Sequence, residues 1–449
     1  MNWRQPVILS LLNLSGSKIP SHFQEIKKIQ WWSKKKIKAY QQRKLKKLLL
    51  HAQRNVPYYQ KILSQAGVVD AQGNIHLDKW SRIPILNKEI LRKEFSNLKS
   101  RDIQKRKTYL NSSGGSIGEP VKFLQDKAYQ EWNIANKLFY HHMLGKDVGE
   151  KEIKLWGSEQ DIFKGTIGLK NTLQNWLYNR KFLNSFRLSP QIIRRYVQLW
   201  NQFKPVNVWT YIDSIYQFAR FIERDNLSVF PPNAIITTAG VLDNKVRKYI
   251  QKILKTKVYD QYGSREVGDI ACECPQQKSL HVFEHSHYLE ILDKNLKPVK
   301  AGETGQIYIT SLTNYSMPLI RYQIGDMGVY GRQRHCACKR GFKLIKKITG
   351  RITDHFIRKD KTIIHGEYFT HLFYFRPWVK KFKVIQKDYN RVQCLIVKLK
   401  PPNKKDLNDI KNKIKLVMGR NCQVEFRLVK HIPASGSGKY LYTQTQLKI

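Results

Sequence analysis

A loop rich in serine and glycine is the first stretch of the sequence whose residues suit ligand chemistry. Residues 111–123 read NSSGGSIGEPVKF, and the small residues of the loop are Ser113, Gly114, Gly115, Ser116 and Gly118. Hydroxyls and unobstructed backbone N–H groups in such a loop suit the oxygens of a polyphosphate. The loop lacks the lysine and the spacing of a Walker loop, and most Ser/Gly loops are ordinary connections. On its own, the loop indicates a phosphate site only weakly.

A small-residue turn follows a predicted strand in TTAGVLDNKVRKYIQKI. The strand ends at Ala239 and Gly240, and a helix is predicted from Asp243 to Lys255. Ligands bind at the carboxyl ends of parallel strands, where small residues let a flat ring approach the backbone. The turn is therefore a candidate wall for a nucleotide base.

The segment DQYGSREVGDIACEC combines an aromatic residue, a glycine and a carboxylate. Tyr262 can stack on a base, and Gly263 permits a tight turn. Glu266 could hold Mg²⁺ through one carboxylate oxygen.

Three more segments carry single polar residues at informative places. In PLIRYQIGDMG, Asp326 at a predicted strand end could accept hydrogen bonds from ribose hydroxyls. In ITGRITDHF, Arg351 lies at a predicted domain boundary, and in PASGSGKYLYT, Lys439 lies on a Gly/Ser loop. A lysine in such a loop is normally a solvated surface charge, and the alternative is a mobile cation delivered to a phosphate.

Four of the six cysteines form two C-x-C pairs with histidines between them. The residues concerned are Cys272, Cys274, His281, His285, His287, Cys336 and Cys338. The spacing differs from the usual C-x₂-C of zinc sites. The grouping favours a metal site over buried free thiols, without choosing the ligands.

Alternating strands and helices between residues 122 and 264 predict βαβ units and a largely parallel sheet. Residues 280–330 are predicted to be β-rich, and the segment beyond Arg351 to be a small α+β unit with a helix from Lys404 to Met418. At 449 residues, the chain is long enough for two domains. We place them at residues 1–351 and 352–449.

The order of these motifs, from about Ala52 to the C-terminus, resembles the adenylate-forming superfamily of acyl-CoA synthetases and peptide-synthetase adenylation domains. The nearest branch is similar to the phenylacetate–CoA-ligase-like proteins of capsular polysaccharide biosynthesis. The resemblance implies an α/β fold: a large N-terminal adenylate-forming domain with parallel sheets and a β-rich subdomain, followed by a small mobile α+β C-terminal cap. It also implies ATP-dependent activation of a carboxylic acid and transfer of the acyl group to CoA, a carrier protein or a sugar.

The resemblance assigns roles to matching residues. The loop from Ser113 to Gly118 would close over the β- and γ-phosphates, and Glu266 would bind Mg²⁺. Asp326 would hold the ribose, Arg351 the ribose or phosphate, and Lys439 would bridge the attacking carboxylate and the α-phosphate. Ala239, Gly240, Tyr262, Gly263 and Ser264 would line the nucleotide site, and Cys274, His281, Cys336 and Cys338 would hold a structural Zn²⁺. The acid is expected near Trp209 to Ser214.

Three positions depart from the family pattern. Ile117 stands where a Thr is usual, Arg265 where a Ser or Thr commonly touches the α-phosphate, and Thr353 where the hinge usually has Asp. Ser264 could replace the missing hydroxyl. These departures leave open a family member that binds a nucleotide without chemistry.

The charge of the chain allows polyanionic partners. Lys and Arg number 81 against 34 Asp and Glu, a net charge of +47. The excess suits nucleic acid, anionic lipid or phosphorylated substrates, and a lysine-biased proteome explains it equally well. The sequence matches no nucleic-acid-reading motif, so a nucleic-acid-binding protein is only an alternative.

Residues 26–50 are an amphipathic, lysine-rich stretch that contains Trp31 and Trp32. It suits an anionic membrane surface, and a helix packed on its own domain is the competing interpretation. The sequence has no stretch of about 20 apolar residues that would span a membrane. The first 20 residues have a poor signal-peptide cleavage site. We therefore predict a cytoplasmic protein and leave a peripheral position at the inner membrane face open.

Overall fold

The structure is a computed structural model. It describes residues 2–112, 121–156, 169–185, 187–240, 242–331, 335–349, 355–360, 362–374, 376, 378–432 and 442–447.

The described helices lie on both sides of the sheets. They are α1 (Arg4–Leu14), α2 (Ile19–Ile29), α3 (Lys34–Asn55), α4 (Pro57–Gln65), α5 (Lys88–Lys93), α6 (Lys127–Met143), α7 (Leu169–Leu177), α8 (Pro190–Phe203), α9 (Ile212–Arg224), α10 (Asn244–Leu254), α11 (Gly366–Tyr374) and α12 (Lys404–Met418). Short 3₁₀ helices cover Leu77–Arg82 and Ile103–Lys105.

The described strands follow in chain order. They are β1 (Thr108–Ser112), β2 (Lys122–Asp126), β3 (Glu152–Trp156), β4 (Arg180–Asn184), β5 (Arg187–Leu188), β6 (Asn207–Tyr211), β7 (Ala234–Thr238), β8 (Val258–Ser264), β9 (Gly268–Glu273), β10 (Leu280–Val282), β11 (His287–Leu292), β12 (Thr304–Ser311), β13 (Tyr322–Tyr330), β14 (Leu344–Thr349), β15 (His355–Ile357), β16 (Ile363–His365), β17 (Val379–Asp388), β18 (Arg391–Lys398), β19 (Gln423–Leu428) and β20 (Thr443–Thr445).

The largest sheet in the described part of the chain is mixed. Its order is β11-β12-β13-β14-β10-β9-β8-β7-β6-β3-β4. The strands from β4 to β8 in this order are parallel, and the pairings from β8 to β11 are antiparallel. The parallel part agrees with the predicted βαβ units, and the antiparallel part is the predicted β-rich subdomain. The α/β fold class is thus confirmed.

Side chains of the parallel strands alternate between two buried faces, as expected for a sheet covered by helices. Ile153, Val208 and Ile235 face one core, which contains residues of α8, α9 and α10. Trp209 and Ile236 face a second core, which contains residues of α2 and α6. The apolar runs of these strands are therefore buried on both sides.

The C-terminal segment has a sheet and a core of its own. Its strand order is β19-β18-β17-β20, and α11 and α12 pack with it. The helix predicted from Lys404 to Met418 coincides with α12. Sequence reasoning missed the short strands β15, β16 and β20. The proposed boundary at residues 351–352 lies outside the described residues, so the two-domain division stays a prediction.

The C-terminal segment contacts the large sheet at the carboxyl ends of its parallel strands. Strand β16 pairs with β5, with Ile363 opposite Leu188. Tyr211, the last residue of β6, belongs to the same apolar core as the C-terminal residues.

Candidate active site

The described ends of the Ser/Gly loop form an antiparallel hairpin. Strands β1 and β2 pair from Thr108 opposite Asp126 to Ser112 opposite Lys122. Gln125 of β2 donates from Nε2 to the carbonyl oxygen of Arg265 at 2.8 Å. The base of the predicted phosphate loop is thereby tied to the turn that carries Glu266. Ser113, Gly114, Gly115, Ser116 and Gly118 themselves lie outside the described residues.

The turn after β7 has the backbone geometry of a close approach. Ala239 has a φ of +62°, a left-handed conformation that few residues other than glycine adopt. A Cβ on Gly240 would lie 2.4 Å from Cγ2 of Ile212, at the start of α9. Any larger residue at position 240 would require the Ile212 side chain to move. The small residue at position 240 is therefore explained by local packing against Ile212.

Glu266 lies in the tight turn between β8 and β9. Gly263 is required there, because a Cβ would lie 2.7 Å from the carbonyl oxygen of Gly268. The backbone N–H of Val267 donates to Oγ of Ser264 at 3.4 Å. The carboxylate of Glu266 is buried, and Tyr322 donates its hydroxyl to Oε1 at 3.4 Å.

Tyr262 and Asp326, predicted to hold base and ribose, are in contact. The hydroxyl of Tyr262 donates to Oδ2 of Asp326 at 2.9 Å. Asp326 lies within β13 and is half-buried. Strands β8 and β13 are separated by three strands in the sheet order, so the contact brings together two motifs that are 64 residues apart in sequence.

A cation that the sequence analysis missed lies beside Glu266. Nζ of Lys88 is 3.9 Å from Oε1 of Glu266, and both side chains are nearly buried. Lys88 lies here because the chain just before it pairs with β13. Leu86 forms a β-bridge with Tyr322, and Gln323 donates its backbone N–H to the carbonyl oxygen of Leu86 at 2.8 Å. Asn87 caps the helix that begins at Lys88. No local signal marks Lys88, since its position depends on a contact with β13.

Aromatic side chains form a wall on one face of β3 and β6. Trp156 and Trp209 have ring centroids 4.9 Å apart, and Trp156 and Tyr211 4.1 Å. The ammonium of Lys154 lies 4.6 Å from the ring centroid of Trp156 and 4.4 Å from that of Trp209. Burial, followed by the positive charge of the neighbouring Lys137, lowers the pKa of Lys154 to about 7. Trp209 to Ser214 is the segment where the sequence predicts the acid-binding pocket.

Arg351 and Lys439 lie outside the described residues, so their predicted roles stay predictions. Tyr442, three residues after Lys439, is buried against Phe382 with a centroid distance of 5.2 Å. Thr443 pairs with Val384 in β20 and β17.

Candidate metal centre

The four residues that the resemblance selects as zinc ligands lie together. One ligand atom each of Cys274, His281, Cys336 and Cys338 lies within 4.8 Å of the other three. Sγ of Cys274 is 3.6 Å from Sγ of Cys336, and Sγ of Cys338 is 3.4 Å from Nε2 of His281. Three thiols and one imidazole are a donor set that suits tetrahedral Zn²⁺.

The remaining candidate ligands are used elsewhere or lie outside this group. His285 pairs through Nε2 with Oδ1 of Asn136 at 2.7 Å, and His287 with the carbonyl oxygen of Val267 at 2.7 Å. Cys272 is buried opposite His281 in the strand pair β9–β10 and is outside the four-residue group.

Relatives and structural neighbours

Comparison with known proteins supports the resemblance to this superfamily. The family model of the CapK C-terminal domain matches residues 356–446. Protein CapK of Staphylococcus aureus is 22% identical over 438 residues, which cover 95% of this chain and 93% of that protein. A phenylacetate–coenzyme A ligase of Thermus thermophilus is 25% identical over 337 residues, 72% of each chain.

The fold has a counterpart among solved structures. A crystal structure of 2-hydroxyisobutyryl-CoA ligase, in complex with 2-HIB-AMP and CoA in the thioesterification state, superposes with a TM-score of 0.61. It is 17% identical in sequence, and the match covers 93% of this chain and 91% of that chain. The chain is therefore a homologue of CapK and of the phenylacetate–coenzyme A ligases with the fold of the adenylate-forming CoA ligases, and its residues 356–446 match the CapK C-terminal domain.

Proposed function

We propose that the chain is an ATP-dependent, AMP-forming ligase that activates a carboxylic acid as an acyl-adenylate and transfers the acyl group to an acceptor. The observation that carries the proposal is the contact of Tyr262 with Asp326 on the sheet that also holds buried Glu266. An aromatic ring and two carboxylates at one site can bind the base, the ribose and the metal of a magnesium nucleotide. The fold shared with adenylate-forming ligases supports the same function.

In this proposal the nucleotide lies across the ends of β7 and β8 and the middle of β13. The base packs between Tyr262 and the turn at Ala239 and Gly240. Asp326 accepts hydrogen bonds from the ribose hydroxyls, to which Arg351 adds a cation. Ser264 and the loop from Ser113 to Gly118 donate to the phosphates.

Glu266 is the proposed magnesium ligand because it is a buried carboxylate next to the proposed nucleotide site. The ammonium of Lys88, 3.9 Å from one of its oxygens, balances the charge of the carboxylate in the absence of the ion. When bound, Mg²⁺ neutralises charge on the phosphate oxygens. The residues of the chain then orient the acid. Its carboxylate oxygen attacks the α-phosphorus, a P–O bond forms, and the bond to the leaving pyrophosphate breaks. Lys439 holds the attacking oxygen and the α-phosphate together while negative charge builds there.

The acyl portion of the acid is assigned to the aromatic wall of Trp156, Trp209 and Tyr211. These side chains lie at the carboxyl end of the parallel strands, the usual position of ligands in open α/β sheets. The shared core of Tyr211 and the C-terminal segment supports a wall that a moving cap would cover.

CoA is the proposed acceptor, since relatives and structural neighbours are named as CoA ligases. Similarity to CapK supports a place in surface or capsular polysaccharide biosynthesis, where a carrier protein or a sugar is the alternative acceptor. We place the enzyme in the cytoplasm. None of the described helices is long and apolar enough to cross a membrane.

The cysteine and histidine group is proposed as a structural Zn²⁺ site. Four protein ligands complete a tetrahedral shell and leave no position for a reacting water. Beyond the turn that carries Glu266, the chain runs along β9 from Gly268 to Cys274, an extended distance of roughly 20 Å. The metal would hold the far end of this strand and take no part in the reaction.

Lys439→Ala tests the function. We expect the variant to fold and to lose acid-dependent exchange of pyrophosphate into ATP, while Lys400→Ala, an exposed lysine of the same segment, retains it. A screen of carboxylic acids for ATP-dependent AMP release by the wild-type chain supplies the substrate for this assay. Unchanged exchange in Lys439→Ala would remove the assignment. ATP binding without AMP release for any acid would favour a non-catalytic nucleotide-binding protein.

A further inference from the structure

Helix α1 has an apolar side that faces away from the protein. Ile8 on the inner side is buried in the core that contains α2 and α6, as expected for a packed helix. On the outer side, Trp3, Val7, Leu11 and Leu14 follow at helical spacing and are 39–85% exposed. Residues 5–14 contain no charged side chain. A surface helix normally presents polar residues to water, so this exposed side calls for a covering surface.

Helix α7 extends this exposed side. Trp176 and Leu173 are more than half exposed, and the ring centroids of Trp3 and Trp176 are 6.3 Å apart. The guanidinium of Arg4 lies 4.6 Å from the ring of Trp3 and 5.6 Å from that of Trp176. We call Trp3, Val7, Leu11, Leu14, Leu173 and Trp176 the N-terminal ridge.

The charge of the N-terminal helices favours one kind of covering surface. Residues 2–50 contain twelve Lys and Arg and one acidic residue, Glu25. Nine of these cations, from Lys18 to Lys47, are exposed. A second copy of the chain would bring the same cations and be repelled. An anionic lipid surface attracts them and accepts apolar side chains just beneath its headgroups.

We propose that the N-terminal ridge inserts into the headgroup region of an anionic bilayer, and that the lysines of α2 and α3 contact the lipid phosphates. Tryptophan and arginine at the end of the ridge are typical of the boundary between headgroups and acyl chains. The proposal is independent of the ligase function, because none of these residues belongs to the candidate active site. It would place the enzyme beside membrane-bound acceptors or precursors.

The test is co-sedimentation with vesicles of phosphatidylcholine that contain about a third phosphatidylglycerol. We expect the wild-type chain to bind these vesicles and to bind pure phosphatidylcholine weakly. Trp3→Ser, Val7→Ser, Leu11→Ser and Leu14→Ser in one chain should weaken binding about 10- to 100-fold. Folding should persist, since these side chains are exposed.

A matched control changes four exposed leucines elsewhere, Leu296, Leu399, Leu416 and Leu428, to serine. This variant should bind like the wild-type chain. Equal binding by the ridge variant and the wild-type chain would overturn the proposal, since charge alone would then account for attachment. A wild-type dimer in light scattering that the ridge variant abolishes would also overturn it, because the ridge would then be a protein interface.

Discussion

Replacement of Lys88 by methionine tests whether Glu266 is arranged to receive a divalent cation. Nζ of Lys88 lies 3.9 Å from Oε1 of Glu266. At this distance two unit charges interact by about 4 kcal/mol with an effective dielectric constant of 20. Loss of one partner of such a buried pair typically costs about 3 kcal/mol of unfolding free energy, because the other charge stays buried and uncompensated. We expect Lys88→Met to be destabilised by about this amount in the absence of ligand.

Mg²⁺ alone should recover part of this loss in Lys88→Met, since the ion supplies a positive charge to Glu266. Glu266→Gln removes the carboxylate, so Mg²⁺ should leave its Tm unchanged. The measurement is the free energy of unfolding and the Tm of each variant with and without Mg²⁺. The double variant Lys88→Met/Glu266→Gln should be less destabilised than the sum of the single variants, with a coupling of more than about 1 kcal/mol.

Two results would refute this reasoning. Strictly additive effects of the two substitutions would mean that Lys88 and Glu266 do not interact. A Tm increase with Mg²⁺ that is the same in Glu266→Gln and in the wild-type chain would mean that the ion binds elsewhere.

The remaining predictions concern the metal centre, the turn after β7 and a buried carboxyl group. Purified protein should contain about one zinc per chain by elemental analysis, and Cys338→Ser should lose the metal and several kcal/mol of unfolding free energy; full zinc content in this variant would contradict the ligand set. Gly240→Ala should lose about 1–3 kcal/mol through overlap with Ile212, and Ile212→Ala in the same chain should cancel part of the clash, as a double-mutant cycle in denaturant would measure. Burial, followed by the negative charge of Glu273, raises the pKa of Asp260 to about 7. The buried carboxyl group of Asp260 therefore stabilises the fold fully at a pH below its ordinary pKa near 4, and this stabilisation is lost as the pH rises through 7. Asp260→Asn should remove this loss, and an equal fall in the stability of both proteins from pH 5 to pH 8 would contradict it.

The sequence predicted those elements whose cause is local. Helix α12 has the predicted ends, Lys404 and Met418, and in the structure Asn403 caps it and Gly419 follows it. Helix α6, one of the helices expected between residues 122 and 264, begins at Lys127 with Asp126 as its cap. In both cases a capping side chain next to a periodic apolar pattern is enough to fix the element.

Features that depend on distant contacts were not predicted. Strand β16 has three residues and forms by pairing with β5, so no periodicity marks it. Lys88 reaches Glu266 only because Leu86 bridges to Tyr322, 236 residues later. Cys272 and Cys274 could not be ranked as ligands from residue types alone, since both belong to one C-x-C pair. Strand pairing in the structure separates them, and the group contains Cys274.

The pairing of β9 connects the metal centre and the candidate active site. The turn before β9 carries Glu266, and the residue after the strand is Cys274. Strand β9 pairs with β8, which carries Tyr262, and with β10, which carries His281. One antiparallel unit therefore holds the proposed magnesium ligand at one end and the cysteine and histidine group at the other, with Tyr262 between them, opposite Ala271. A metal at the far end would fix the register of these strands, and with it the position of the Glu266 carboxylate relative to Tyr262. The cysteines would then affect the reaction only indirectly, through the position of the backbone. A closed shell of four protein ligands is compatible with this structural role.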